Sequence, residues 1–180
     1  MPTASLARLR LNAGLLLTGE TRIELQGTTM RVTNAGMGWT NEPVPVANQG
    51  VFVEGGDLRL VGGELDGQLT LACDRQIYLA EAGSVRYRCD PASPADDPDC
   101  INGFTGEVAY NDDVLGLVAK QRILISKQAP FDVTVHGSLI SIDGGLGVER
   151  FDAPGNRGLI FVLGGVIENY MQSTGELGAA

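Results

Sequence analysis

The chemically reactive side chains of this 180-residue chain are few, and none of them forms a recognisable catalytic set. The one histidine, His136, lies at the end of the apolar stretch TVHGS, where a solitary histidine is more often structural than a general base. No serine occupies a nucleophile elbow, no glycine loop opens a helix towards phosphate, and no Cys/His set has metal-ligand spacing. The sequence therefore predicts a protein that is not an enzyme, with no catalytic residue, metal or cofactor.

Carboxylates cluster in two turn-like segments, at Asp96, Asp97 and Asp99 and at Asp112 and Asp113. Oxygen-rich loops can hold calcium, but the ligand ladder and hinge glycine of an EF-hand are missing here. We favour solvated turn acids, with calcium as the alternative. Polysaccharide lyases and hydrolases built on a β-helix use carboxylates along one sheet face. The acids of this chain fall in turns instead, which argues against such an enzyme.

The basic residues carry a more informative pattern, because many of them alternate with apolar residues. Arg59 lies between two leucines, and Arg86 between a valine and a tyrosine. In a strand this alternation points the cation outward and its neighbours inward. Stacked strands can align such cations into a phosphate-binding stripe, although cross-strand ion pairing and surface solubility are the commoner roles. The nucleic-acid contacts predicted from charge and exposure are Arg86, Arg88, Lys120, Arg122 and Lys127.

Three cysteines are present. Cys89 and Cys100 bracket DPASPADDPD, a segment with nothing apolar to pack, so a disulfide that closes this loop is the economical prediction. It would stabilise the fold by ~2 to 3 kcal/mol through loop-closure entropy and indicates an oxidising compartment. Three reduced thiols in a cytosolic protein are the alternative. Cys73, beside Leu71, is expected to behave as a small buried hydrophobe.

The elements that must position these residues are short strands. From Val51 to Leu79 aliphatic residues recur as i, i+2 pairs, cut at near-regular intervals by Gly and Asp turns. The same texture recurs at 113–142 and at 158–170 and begins at Leu9. Such strands cannot bury themselves singly, and their imperfect repetition favours stacked units. We therefore predict an all-β fold, a parallel β-solenoid with little helix.

The chain is predicted to be one domain over residues 1–180. Loop insertions are expected near 34–49 and 89–104, and a flexible tail near 171–180. The first loop holds Trp39, which we expect to cap the end of the coil, with an exposed position as the alternative. Both ends of a solenoid present strand edges that a loop, a partner domain or another copy must cover.

The formal net charge of −9 disfavours non-specific binding of polyanions by the whole surface. No apolar run approaches the ~20 residues that span a bilayer, and the N-terminus lacks the apolar core of a secretion signal. We expect a protein that is soluble as synthesised or, as the favoured interpretation, a piece of a longer exported protein.

The phrases GVFVEGGDLRLVGGELDGQLTLAC, DDVLGLVAKQRILIS and GLIFVLGGVIENY give the chain a family resemblance over about residues 50–170. It resembles an uncharacterised β-solenoid domain of type IV pilus-associated and envelope proteins of Deinococcus–Thermus bacteria, similar to the ComZ-type competence pilins. The resemblance implies an extracytoplasmic domain on a pilus or cell surface that assembles with another minor pilin or pilus subunit and contacts DNA. The apolar N-terminal helix of a pilin is absent from these residues, which leaves filament incorporation unsupported.

The function predicted from these observations is a non-enzymatic cell-surface or pilus-tip solenoid that binds DNA or a partner pilin. The alternatives are a self-assembling structural solenoid that associates through its ends, and a carbohydrate-binding adhesin.

Overall fold

The computed structural model describes residues 6–46, 49–89, 113–150 and 158–171 of the chain. Within these ranges the protein contains sixteen strands and one six-residue helix, so the all-β prediction is confirmed. The helix α1 spans Leu6–Leu11.

The strands fall into two sheets. Sheet A consists of β1 (Ala13–Thr18), β5 (Gly50–Glu54), β7 (Gln68–Cys73), β10 (Val114–Ala119), β13 (Ser138–Ser141) and β16 (Val166–Glu168). Sheet B consists of β2 (Thr21–Gly27), β3 (Thr29–Asn34), β4 (Thr40–Pro43), β6 (Leu58–Leu65), β8 (Ile77–Leu79), β9 (Val85–Tyr87), β11 (Ile123–Ile125), β12 (Val133–His136), β14 (Leu146–Val148) and β15 (Ile160–Leu163).

Sheet A has the strand order β1-β5-β7-β10-β13-β16, and every neighbouring pair is parallel. Each of its strands except β16 is followed along the chain by one to three strands of sheet B. The chain thus makes repeated passes, in which it crosses sheet A, turns into sheet B and returns.

Sheet B has a parallel part and an antiparallel part. The path β2-β6-β8-β11-β14 is parallel, and so is a second row in which the end of β6 pairs with β9, β9 with β12 and β12 with β15. Beyond β2 the chain reverses, because β3 pairs antiparallel with β2 and β4 antiparallel with β3. The path and the second row share β6, whose two ends pair with different strands.

The core lies between the sheets and is built from the aliphatic pairs seen in the sequence. In sheet A one inward column runs along the strand register as Leu15, Val51, Leu71, Leu117, Leu139 and Val166. Its four middle members are 0–1% exposed. The predicted inward pairs from Val51 to Leu79 are all buried, which confirms the parity argument for that stretch.

Glycine is required where consecutive passes approach closely. Gly63 has φ +104°, and a Cβ there would collide with the carbonyl oxygen of Leu25 in the neighbouring strand. A residue with a side chain would therefore have to push β2 and β6 apart.

The first predicted strand is wrong, since Leu9 and Leu11 belong to α1. Leu9 packs on the outer face of sheet A against a small cluster around Phe52, and Arg10 makes a bidentate contact with Glu54 at 3.0 and 3.2 Å. This hydrogen-bonded pair raises the pKa of Arg10 above its usual value. In the helix Leu6 and Leu9, three residues apart, share the face that packs on this cluster, whereas Leu11 is 78% exposed.

The predicted loop at 34–49 contains a strand, because residues 40–43 form β4 at the edge of sheet B. Trp39 does not cap the core, since it is 41% exposed. The predicted insertion at 89–104, apart from Cys89 itself, and the predicted tail beyond Met171 lie outside the described residues.

Candidate functional site

The five cations predicted to contact nucleic acid are exposed, but they do not form one row. Lys120 and Arg122 belong to the connection between β10 and β11, and Lys127 to the connection between β11 and β12. Arg86 lies in β9, and Arg88 directly follows it. Four of them, all but Arg86, therefore do not occupy the strand positions on which the idea of an outward stripe depended.

Two of these cations are also engaged by acids. The Arg88 guanidinium lies 3.2 Å from an Asp66 carboxylate oxygen, and the Lys127 ammonium lies 4.0 Å from Glu149. In the strand register Arg86 lies opposite Glu64. These contacts match the commoner role considered for the cations, that of cross-strand ion-pair partners. Nucleic-acid binding by the five residues stays a prediction.

Arginines do align on the outer wall of sheet B, at positions that the predicted site did not include. The register places Arg22 beside Arg59 and Arg59 beside Tyr78. The Arg59 guanidinium stacks 4.2 Å from the Tyr78 ring centre. Burial is the largest of the effects that raise the pKa of Tyr78 above its usual value.

One carboxylate bridges this pair of arginines and offsets one of their two positive charges. Glu81 is 7% exposed, with one carboxylate oxygen 3.0 Å from Arg22 and the other 3.8 Å from Arg59. The closer contact is an ion pair without the geometry of a hydrogen bond. Because these guanidiniums already share a carboxylate, the alignment serves to hold neighbouring passes together and offers little net charge to a phosphate.

Trp39 lies on the same wall. Its ring centre is 4.9 Å from the Arg31 guanidinium and 5.9 Å from that of Arg22, within the range of cation–π attraction. Arg31 in turn pairs with Glu24 at 3.0 Å. The tryptophan therefore fastens the β3–β4 connection to the outside of sheet B.

His136 is a structural residue, as its setting in the sequence predicts. It is 2% exposed, and its Nδ1 accepts a hydrogen bond from the backbone N–H of Tyr87 at 3.0 Å. The Tyr87 ring lies 5.2 Å from the imidazole, and its hydroxyl accepts from the N–H of Leu115 at 3.2 Å. These contacts join two consecutive passes, since Tyr87 belongs to the pass that begins with β7, and both Leu115 and His136 belong to the pass that begins with β10.

Cys73 is a fully buried free thiol, which agrees with its predicted role as a small hydrophobe. Burial raises the pKa of Cys73 to about 11. A thiol with so little thiolate at neutral pH is a poor nucleophile. The predicted Cys89–Cys100 disulfide stays a prediction, because Cys100 lies outside the described residues.

The acidic turns act mainly on the backbone. Asp113 accepts the N–H of Gly67 at 2.6 Å, and Asp74 accepts the N–H of Gly55 at 2.9 Å. The calcium ligands considered at Asp96, Asp97, Asp99 and Asp112 lie outside the described ranges. Among the residues that are described, no group of three or more His, Cys, Asp or Glu is placed to hold a metal ion.

A half-open groove of about 210 Å³ lies beside α1 on the outer face of sheet A. Its lining includes the amides of Asn12, Gln49 and Gln68, the hydroxyl of Thr70 and the apolar side chain of Leu9. Gly50 contributes no side chain to the lining. A Cβ there would lie 2.6 Å from the Thr70 carbonyl oxygen, so the position requires glycine. The groove thus offers neutral hydrogen-bonding groups beside a small apolar patch.

Seven of the fourteen exposed large hydrophobic residues within the described ranges lie in or beside the last strands. Within the described ranges β14 pairs with β11 alone, β15 with β12 alone and β16 with β13 alone, so each has one edge without a strand beside it. The exposed apolar residues there are Leu159, Phe161, Leu163, Val166, Ile167, Tyr170 and Met171, at 43–91%. We call this surface, residues 159–171, the terminal edge.

The terminal edge also uncovers the end of the core. Val166 occupies the inward column of sheet A and is 43% exposed, whereas Leu139, one strand earlier in that column, is 1% exposed. Glu168 contributes the one charged side chain of residues 159–171, and its carboxylate accepts the N–H of Leu146 at 2.8 Å. The surface is therefore apolar, nearly uncharged and lined by backbone edges.

Sequence reasoning missed the terminal edge as a site. It did locate the strands 158–170 and the general need to cover a solenoid end. The signal that could have found it is the run LIFVLGGVI, in which both strand parities are apolar and no basic residue or proline protects the edge.

Comparison with protein-family models, with curated proteins and with solved structures gives no match. Among the described residues, no helix has the length and apolar character needed to cross a bilayer.

Proposed function

We propose that this chain is a parallel β-solenoid that acts as a non-enzymatic binding module of a cell-surface or pilus-associated protein. Its partner is another protein, such as a pilus subunit, and the terminal edge is the docking surface. The observation that carries the proposal is the coincidence, at residues 159–171, of unpaired strand edges with seven exposed apolar side chains.

The repeated passes support the solenoid. Five consecutive sheet A pairings are parallel, and residues of equal parity lie in register from β1 to β16. A single coil that advances by one strand spacing, ~4.8 Å, with each pass gives this pattern directly. The antiparallel β3 and β4 are then an addition at the beginning of the coil.

A protein partner fits the terminal edge better than DNA does. Strand edges bind extended polypeptide through backbone hydrogen bonds, and exposed apolar side chains add affinity. Duplex DNA requires cations aimed at phosphates, and residues 159–171 contain no lysine or arginine. The five cations predicted to contact nucleic acid lie in β9, directly after it and in two separate connections. The chain as a whole carries a net charge of −9.

The proposal is tested with a photo-crosslinking amino acid at residue 167 of the protein in its native cells. Ile167 is 58% exposed on the terminal edge, so we expect a protein adduct there. The matched control is residue 16, since Leu16 is 48% exposed in the same outward register at the opposite end of sheet A. Equal labelling at both positions, or none at 167, contradicts the proposal.

DNA binding is tested separately in a low-salt gel shift. We expect no shift from the purified chain. A shift that a Lys120→Ala, Arg122→Ala double variant abolishes would instead support the site predicted from sequence and contradict a protein-only partner.

A glycan ligand is the second candidate, and the neutral groove beside α1 favours it. Amides and hydroxyls over a small apolar patch suit the alternating polar and apolar faces of a sugar, and 210 Å³ accommodates about one residue of a saccharide. We expect calorimetric titration with neutral oligosaccharides to give heat that a Gln68→Ala variant loses. A Gln128→Ala variant is the control, since Gln128 is exposed in a distant turn.

A further inference from the structure

We infer that the outer face of sheet A, on the part that α1 leaves open, is a docking surface for an amphipathic α-helix of a protein partner. This inference rests on the proposed function in one respect, that the partner is a protein, and it names the element that the partner presents. It is carried by three observations: an apolar row across the sheet, the packing of α1 on that row, and a glycine that the chain's own packing does not require.

One outward-facing row of sheet A is apolar in every strand. The register places its members side by side from β1 to β16, in the order Leu16, Phe52, Ala72, Val118, Ile140 and Ile167. A sheet face that meets water is normally polar, whereas parallel sheets that are apolar on both faces are covered on both. The row therefore predicts that an element covers the outer face of sheet A as well as the inner one.

A helix already covers the middle of the row. α1 contacts β1, β5 and β7, and its residues Leu6 and Leu9 pack on the cluster around Phe52, which is 3% exposed. Within the described ranges α1 is the one helix, and towards β16 the row is open. Ile140 is half-buried there, and Ile167 is 58% exposed. The protein itself thus shows that the i, i+3 leucines of a helix fit this face.

Gly116 indicates that the occupant of the open part approaches closely. It points outward in the interior of β10 and pairs with Thr70 on one side and Ser138 on the other, without a register shift. A Cβ there would meet nothing nearer than the Thr70 hydroxyl oxygen at 3.5 Å, so the chain's own packing does not require glycine. Glycine in a strand interior weakens the strand and often marks a place where another backbone comes close. Gly116 and Ser138 thus leave a shallow trough beside the apolar row.

The open part of the row suits two turns of helix. From β10 to β16 the row crosses two strand spacings, about 10 Å. A helix that lies across these strands covers that length with about seven residues. Its side chains at i, i+3 and i+7 then face the sheet, where they contact Val118, Ile140 and Ile167. A short amphipathic helix therefore continues the cover that α1 begins.

The test uses a synthetic helix that copies the face of α1. The probe is a capped peptide that repeats residues 5–11 twice in tandem, with Leu11→Glu in each copy for solubility. The control peptide also carries Leu6→Ser and Leu9→Ser in each copy, which leaves its charge the same. We expect the full chain to bind the probe in calorimetric titration and to raise its helix content in circular dichroism. We expect no binding of the control peptide.

Matched variants of the chain locate the contact. Ser138→Lys and Ile167→Lys should weaken probe binding at least ~10-fold, because each puts a charge into an apolar contact and repels the arginines of the probe. Leu16→Lys, at the other end of the same row, and Phe161→Lys, on sheet B, should bind the probe like the wild type. All four side chains are exposed, so the variants should fold, which circular dichroism checks.

The inference is overturned if the full chain does not bind the probe, if the probe gains no helix on binding, or if Leu16→Lys weakens binding as much as Ile167→Lys does. Two further results also overturn it by naming another occupant. Binding by a chain that lacks residues 1–5, but not by the full chain, would make those residues the occupant. A wild type that sediments as a dimer, and as a monomer after Ser138→Lys, would make it a second copy.

The inference and the proposed function fail differently. Loss of probe binding in Phe161→Lys but not in Ser138→Lys would place the contact at the terminal edge alone, which overturns the inference and retains the proposed function. Helical binding of the probe, together with equal labelling at residues 16 and 167 in cells, overturns the proposed docking at the terminal edge and retains the helix-binding face.

Discussion

The two ends of the stacked strands are built from the same kinds of residue but finished differently. At the N-terminal end β3 and β4 fold back over β2, so that Met30 is 0% exposed and Val32 3% exposed. At the terminal edge the last strands carry no such addition within the described ranges, and Val166 is 43% exposed. The inward pattern is thus closed at the N-terminal end of sheet B, whereas at that end of sheet A the strand β1 pairs with β5 alone within the described ranges and Leu15 is half-buried.

This difference separates what stabilises the fold from what is available for binding. At a closed end the apolar side chains are already buried. Their burial stabilises the folded chain and leaves no apolar surface for a partner to cover. An open end has not yet gained the free energy of burying its apolar surface, at about 25 cal/mol per Å². Association at that end can therefore recover it.

The largest effect that separates the ends should come from truncating inward residues. Met30→Ala should destabilise the protein by about 2 to 5 kcal/mol, because a fully buried side chain leaves a cavity. Val166→Ala should cost the monomer less than about 1 kcal/mol, since water already reaches that site. Urea unfolding of both variants and of the wild type measures the difference. Similar costs at both sites would mean that the ends are equally closed.

Corner glycines give a second comparison. A Cβ at Gly63 would collide with the Leu25 carbonyl oxygen, and one at Gly164 with the Gly137 carbonyl oxygen. The strands at Gly63 have neighbours on both sides, whereas the last pass can move outward. We expect Gly63→Ala to cost at least ~2 kcal/mol and Gly164→Ala about 1 kcal/mol in thermal unfolding. A larger cost at Gly164 would show that the terminal edge is rigidly held.

Alkaline pH probes the closed middle of the stack. The pKa of Cys73 is about 11 in the folded protein, against 9.0 for a thiol exposed to water. The unfolded thiol therefore loses its proton first, and stability should fall as pH rises from about 9 to 11. At about 1.4 kcal/mol per pKa unit the loss is on the order of 2 to 3 kcal/mol. A Cys73→Ala variant should show a correspondingly shallower decline. Identical pH profiles would place Cys73 in contact with water.

The smallest effect concerns Trp39, which holds the β3–β4 connection against the outer face of sheet B. Trp39→Ala should cost about 1 kcal/mol, because it removes two partly exposed cation–π contacts. Trp39→Phe should recover part of that loss. Unfolding followed by circular dichroism suits these variants, since Trp39 is the one tryptophan of the chain. No loss in Trp39→Ala would show that β3 and β4 hold the closed end without it.

The all-β class and most inward positions could be predicted from the sequence. Alternation of period two fixes which side chains share a face, so pairs such as Leu58 and Leu60 are buried whatever strand lies beside them. The structural roles of His136 and Cys73 followed from their apolar surroundings. The same alternation misassigned Leu9 and Leu11, because Leu9 also forms an i, i+3 pair with Leu6, and that helical pair is the one that packs on sheet A.

The candidate site was less predictable. The outward parity of Arg22 and Arg59 was visible, but Glu81, which pairs with both, lies far from Arg22 along the chain. The terminal edge was even less accessible, since an apolar strand at 160–163 has the same composition whether another strand covers it or not.

By itself, then, the sequence determined the pleat of each short strand and the positions of its turns, because these depend on side-chain order and on local glycine and aspartate chemistry. Tertiary structure decided which strand lies beside which, which arginines meet a carboxylate and which end of the core is left open. Those outcomes depend on contacts between residues distant in the chain, and no local pattern encodes them.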